Sequence, residues 1–227
     1  MYLRPANERG HANHGWLDSH HSFSFANYHD PKHMGFSVLR VINDDQVQPS
    51  MGFGTHGHQD MEIISYVMQG RLAHKDSEGN VETIPAGDVQ IMSAGTGIQH
   101  SEFNGSDQEA VKFLQIWVLP STAGGAPRYE QKTIAQTDRM TAIVSPSGGD
   151  SAVAIKQDMT LYRLMLNAGD TQTLEVGSRR GYLHVIEGQA RAGGQQFGPG
   201  DGVGLENAEA LTLDADEAFT ALWFDLP

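Results

Sequence analysis

Short apolar runs, each cut by Gly, Pro, Asn or Asp, recur along the whole chain. That spacing predicts strands and tight turns rather than helices. The alternation in Ser22-Phe23-Ser24-Phe25 predicts a strand. Residues 35–42 predict another, ending at a turn, Asn43-Asp44-Asp45. Residues 61–68, rich in Ile, Val and Tyr, give the next and stop at Gln69-Gly70. Asp76-Ser77-Glu78-Gly79-Asn80 reads as a hairpin tip. Pro85-Ala86-Gly87-Asp88 reads as a turn feeding the strand Val89-Gln90-Ile91-Met92. Residues 112–119 form a strongly apolar strand stopped by Pro120. Residues 121–127 read as a loop, and residues 128–135 are expected to hold a short helix. The expected class is all-β, built as a small barrel or jelly roll.

The second half echoes the first. Tyr66-Val67-Met68-Gln69-Gly70 reappears as His184-Val185-Ile186-Glu187-Gly188, and Pro85-Ala86-Gly87-Asp88 as Gly198-Pro199-Gly200-Asp201. Leu114-Gln115-Ile116-Trp117-Val118-Leu119-Pro120 resembles Ala221-Leu222-Trp223-Phe224-Asp225-Leu226-Pro227. Three echoes in one order, with shorter loops in the second copy, imply a duplicated β-domain. At the offset relating Tyr66 to His184, His56 and His58 fall on Leu174 and Val176. His184 is the only histidine of the second half, so the second copy cannot assemble a three-histidine site.

Composition narrows the function. The 227 residues suffice for one large or two small domains. With 39 % apolar and 19 % charged residues the chain is expected to be globular, and 26 glycines with 9 prolines suit a turn-rich β fold. A formal charge of -13 argues against direct contact with nucleic acid or an anionic membrane and suits the handling of small molecules. The absence of cysteine excludes disulfides, zinc-thiolate sites and a thiol nucleophile. The N-terminal segment lacks the apolar core of a signal peptide, and no apolar run reaches membrane-spanning length; the expected location is the cytoplasm.

The candidate chemistry sits in two short motifs, His56-Gly57-His58 and His100-Ser101-Glu102. Residues two apart on a strand share a face. Two such strands aim three imidazoles and a carboxylate at one point, a donor set for a divalent transition metal. Glu62, four residues after His58, has the same parity on an uninterrupted strand and is an alternative to Glu102; a bulge decides between them. Six of the eleven histidines lie in the first thirty-five residues and read as half-buried strand and loop residues. Ser93-Ala94-Gly95-Thr96-Gly97 lacks the lysine and following helix of a phosphate loop and reads as a plain turn. Met51, Met61, Met68 and Met92 read as core or pocket wall.

These motifs resemble a known family. Gly54-x-His56-x-His58-x-x-x-Glu62, followed by Gly70, resembles the first cupin motif. The run from Gly87-Asp88 to His100-Ser101-Glu102 resembles the second. Phe23-Ser24-Phe25-Ala26-Asn27-Tyr28, Leu39-Arg40-Val41-Ile42-Asn43-Asp44-Asp45 and Met92-Ser93-Ala94-Gly95-Thr96-Gly97-Ile98-Gln99-His100 are similar to pirin signatures, densely over residues 10–120. Ser93 stands where cupins usually carry proline, a departure common among pirins.

The resemblance implies a bicupin of two tandem jelly-roll barrels, with a metal-binding barrel over residues 1–135 and a barrel without ligands over 136–227. It implies His56, His58, His100 and Glu102 as ligands, with Glu62 unbound. The implied metal is iron(II), with zinc, nickel, manganese and copper compatible with the donors. The implied activity is quercetin 2,3-dioxygenase-like, cleaving a flavonol with dioxygen to a depside and carbon monoxide, with Glu102 taking the 3-hydroxyl proton. The alternative the family implies is a metal-binding regulator acting through a protein partner such as a transcriptional regulator.

Overall fold

A computed structural model describes residues 1–227. The chain is almost wholly extended. Its strands are, in order, β1 (Tyr2–Arg4), β2 (Gly10–Asn13), β3 (Leu17–His21), β4 (Leu39–Val47), β5 (Gly52–His58), β6 (Glu62–Gln69), β7 (Arg71–Asp76), β8 (Val81–Pro85), β9 (Asp88–Ser93), β10 (Ile98–Asn104), β11 (Val111–Val118) and β12 (Arg128–Thr133). They continue as β13 (Met140–Ser145), β14 (Val153–Ala154), β15 (Thr160–Leu166), β16 (Thr171–Glu175), β17 (Arg180–Glu187), β18 (Ala190–Ala192), β19 (Gln195–Phe197), β20 (Gly202–Leu205), β21 (Ala210–Ala215) and β22 (Phe219–Leu226). No helix is long and apolar enough to cross a membrane.

The strands form two units of the same design, each a jelly-roll of two antiparallel sheets, so the molecule is a bicupin. In the N-terminal unit the larger sheet runs β12-β9-β6-β11-β4-β3-β2 and the smaller β5-β10-β7-β8. In the C-terminal unit the larger sheet contains β1-β20-β17-β22-β15-β13 and the smaller is β16-β21-β18-β19. The order β9-β6-β11-β4 is repeated as β20-β17-β22-β15, which is the duplication seen in the sequence. Register corrects its third echo by one residue: Gln115 lies opposite Ser65, and Trp223 opposite Leu183, so Gln115 corresponds to Trp223.

The units are not the contiguous halves 1–135 and 136–227. One comprises Gly10–Ile134 with Ser147–Gln157; the other comprises Met1–Arg9, Ala135–Pro146 and Asp158–Pro227. The first strand of the chain therefore belongs to the C-terminal unit, where Tyr2 pairs with Gly204 and Arg4 with Gly202. It takes the edge beside β20 that β12 takes beside β9.

Three local expectations are corrected. The predicted helix at 128–135 is strand β12, paired along its length with β9. Its pattern has period two. Tyr129 and Gln131 share one face and are hydrogen-bonded to each other, while Arg128, Glu130 and Lys132 form an ion-pair row on the other. Ser22-Phe23-Ser24-Phe25 is not a strand: β3 ends at His21, and Phe25 closes a tight turn onto Tyr28 with Ala26 at φ 49°. The predicted turn Asn43-Asp44-Asp45 is the middle of β4, hydrogen-bonded to β3 on one side and β11 on the other.

Candidate metal centre

The histidine motifs lie on neighbouring strands of the smaller N-terminal sheet, not on opposed sheets. β5 and β10 pair so that His56 faces His100 and His58 faces Ile98. The register then shifts, and Glu102 lies opposite Phe53. The extra residue is on β5. Such a bulge reverses the alternation of side chains, so Phe53 as well as His56 and His58 lines the same cavity. Gly52 completes the bulge: a Cβ there would sit 2.3 Å from the Glu102 carbonyl oxygen, closer than any side chain can.

His58 Nε2 lies 3.0 Å from His100 Nε2, which lies 3.1 Å from His56 Nε2. His56 Nδ1 donates to the Gly54 carbonyl at 2.9 Å, which leaves the lone pair on Nε2. Burial, and then the neighbouring His56, lower the pKa of His58 to about 4. Burial, then His56 and His58, lower that of His100 to about 3. Both rings are neutral at pH 7. Unprotonated nitrogens directed at one another repel unless a cation stands among them, and neutral imidazoles are what a divalent transition metal needs. The residues present fit a metal.

Glu102 is buried on the same strand as His100. It groups with His74 and His100 rather than with all three metal-facing histidines. Its Oε1 accepts from Ser65 Oγ at 3.3 Å and its Oε2 from Gln115 Nε2 at 3.1 Å. Burial raises its pKa to about 7 despite both hydrogen bonds.

Glu62 stands apart. Asp60, at φ 49°, breaks the chain between β5 and β6 and carries Glu62 into the other sheet. There its Oε2 accepts from Ser93 Oγ at 2.9 Å and from the Lys156 backbone N–H at 3.1 Å. The parity argument for Glu62 assumed an uninterrupted strand, which is not present. Ser93-Ala94-Gly95-Thr96-Gly97 is a plain turn closed by Gly97 N–H to Ala94 O.

The sequence reading missed His74 and Asp76. They lie two apart on β7, opposite Glu102 and His100 respectively, and His74 Nε2 is 3.0 Å from Asp76 Oδ2. The His-x-Asp spacing was the available signal, the same as in the two motifs that were recognised. It also missed the cavity above the centre, about 780 Å³, walled by Trp16, Phe25, Tyr28, Phe53 and Trp117. Trp117 stands edge-on to His58, 4.9 Å between ring centroids, and to Phe25 at 5.4 Å.

Comparison with known proteins gives the family. Residues 2–118 match the family described as Pirin, and residues 142–226 match the one described as Quercetinase C-terminal cupin domain. The chain is 48 % identical over 228 residues to a quercetin 2,3-dioxygenase of Escherichia coli K12, covering 100 % of this chain and 99 % of the relative. It is 41 % identical over 219 residues to a pirin-like protein of Caulobacter vibrioides, covering 94 % of each. The crystal structure of the bacterial pirin YhhW from Escherichia coli in complex with nickel(II) superposes with a TM-score of 0.94 at 48 % identity, covering 100 % of this chain and 98 % of that one. The chain therefore belongs to the pirin family, as a quercetinase-like protein of two cupin domains.

Proposed function

We propose that the protein is a metal-dependent dioxygenase that opens a flavonol such as quercetin with dioxygen. The observation that carries this reading is the set of three imidazoles, with His100 Nε2 3.0 Å from His58 Nε2 and 3.1 Å from His56 Nε2, beside an aromatic-walled cavity that His56 and His58 line. His56, His58 and His100 would hold the metal, with Glu102 as the fourth ligand. Iron(II) is the expected metal, and nickel, present in a complex of the Escherichia coli relative, also suits such donors. When bound, such a metal supplies a Lewis-acidic centre that lowers the pKa of an enolic hydroxyl and makes dioxygen reactive toward the ring.

The protein's own residues do the rest. The aromatic walls bind a planar ligand and exclude water. The Gly54 carbonyl fixes the His56 tautomer. Glu102, a carboxylate grouped with His100 in the same centre, would take the 3-hydroxyl proton. Ser65 and Gln115 hold both carboxylate oxygens in place for that transfer.

The test is consumption of quercetin and dioxygen by metal-loaded protein, followed by absorbance and an oxygen electrode. Elemental analysis of untagged protein identifies the metal. Metal-loaded protein that consumes neither reactant overturns this reading and leaves the regulator alternative.

A further inference from the structure

A second polar group lines the same cavity as His56 and His58. Ser19 and His21 on β3, and Asn43 and Asp45 on β4, are all buried and all face the cavity. Ser19 pairs with Asp45 and His21 with Asn43 in the register of the two strands. His21 Nδ1 is 2.8 Å from Asn43 Oδ1 and 3.4 Å from Ser19 Oγ. Ser19 Oγ donates to Asp45 Oδ1, and Asp45 lines the cavity. Asp45 is only 2 % exposed. A carboxylate on the wall of a cavity that Phe25, Tyr28 and Phe53 also line is an acceptor that a ligand hydroxyl can reach.

The C-terminal unit shows that the fold does not require this polarity. On β11, Phe113 lies opposite Asp45 and Gln115 opposite Asn43; on β22 the equivalent Ala221 lies opposite Leu164 and Trp223 opposite Tyr162. Asp45 therefore corresponds to Leu164, and Asn43 to Tyr162. Leu164 and Trp223 belong to a continuous apolar core, against which Tyr162 packs. The same strand positions are apolar in the unit without histidine ligands and polar in the unit with them.

We propose that Asp45, held by Ser19 beside His21 and Asn43, is a hydroxyl-binding subsite that selects polyhydroxylated aromatic substrates. The proposal rests on the dioxygenase reading, since it assumes a flavonol whose 3-hydroxyl faces the histidines. A phenolic O–H on another ring donates to Asp45 Oδ2, while Phe25 and Tyr28 flank the ring that carries it. Phenols are strong donors, and a buried carboxylate discriminates sharply against a ligand that cannot supply one. Burial also raises the pKa of Asp45 to about 7, opposed by the Ser19 hydrogen bond and reinforced by Glu102 and Asp44, and a phenolic O–H donated to it favours its charged form.

The test uses metal-loaded protein without dioxygen, so that binding is read and turnover is not. The probes are quercetin and 3-hydroxyflavone, which share the 3-hydroxyl and differ in the ring hydroxyls. Wild-type protein is expected to bind quercetin about tenfold to a hundredfold more tightly than 3-hydroxyflavone. In Asp45→Leu, the change to the residue type of the second unit, that ratio falls toward one; in the isosteric Asp45→Asn it falls severalfold. Metal content reports that each variant is folded. An unchanged ratio in a metal-replete variant overturns the subsite alone. Failure of wild-type protein to bind either flavonol overturns both the subsite and the dioxygenase reading.

Discussion

His58 and His100 bring their Nε2 atoms within 3.0 Å of each other from adjacent strands, although His58 pairs in register with Ile98. The contact is diagonal and so depends on both side chains reaching toward one point. His58→Ala is expected to remove most of the bound metal. Val176→Ala, at the corresponding position of the C-terminal unit, is expected to leave metal content unchanged and to cost roughly 0.5–3 kcal/mol of stability, because Val176 is part of an apolar core. Metal analysis and denaturant titration of the two variants check this. Equal metal loss in both contradicts a single site.

The two glutamates are expected to separate. Glu102→Gln impairs metal retention and turnover together, since it replaces an anionic donor and proton acceptor by a neutral amide. Glu62→Gln keeps its metal, because Glu62 is engaged by Ser93 and the Lys156 backbone in the other sheet. Metal loss from Glu62→Gln with full retention in Glu102→Gln would reverse the assignment.

His74 supports the centre from behind, beside His100 and Glu102. His74→Ala is expected to weaken metal binding about 10–100-fold, the usual effect of losing a group that orients a ligand. Competition against a chromophoric chelator measures it. An unchanged affinity would make His74 a packing residue only.

The metal-free protein has a pH signature at Asp45. Its carboxyl titrates near 3.8 when unfolded and near 7 when folded, so folding takes up a proton in that window. Its contribution to stability is present below pH 3.8 and is lost as pH rises toward 7. Asp45→Asn removes the loss. The variant should therefore gain on wild type as pH rises from about 4 to about 7, and by no more above that. Denaturant titrations at several pH values read the difference, and a constant difference would contradict it.

Activity should depend on the 3-hydroxyl. Quercetin is expected to be consumed with dioxygen, and a flavone lacking that group is not. A chelator should stop the reaction and a divalent metal restore it. Equal consumption of both compounds would show that the hydroxyl does not engage the centre.

Much of this was legible because strands convert spacing into direction. His56, His58, His100 and Glu102 stood out because period two puts each pair on one face. The duplication was legible because β6 and β17 keep equal length and similar ends. Glu62 remained ambiguous because a single left-handed residue, Asp60, decides its sheet, and a non-glycine residue gives little sign of that conformation. Asn43 and Asp45 were misread as a turn because buried polar residues and turn residues share one alphabet. Their error marks the polar wall of the cavity, where a site conflicts with the rule that strands bury apolar side chains. The exchange of segments between the units left no sequence signal, because β1 is three residues long and its partner lies at the far end of the chain.

That pairing has a consequence for how the protein is made. Tyr2–Arg4 leaves the ribosome well before its partner Gly202–Leu205. The N-terminal unit can gather most of its strands during synthesis, whereas the C-terminal unit must wait for β20 and then recover β1 from far upstream. Closing so long a loop is slow, and until it closes the edge of β20 is open to strands from other molecules. Arg4, buried in the finished protein, is solvated throughout that interval. Trimming Met1–Arg9 would thus damage the half of the molecule encoded farthest away.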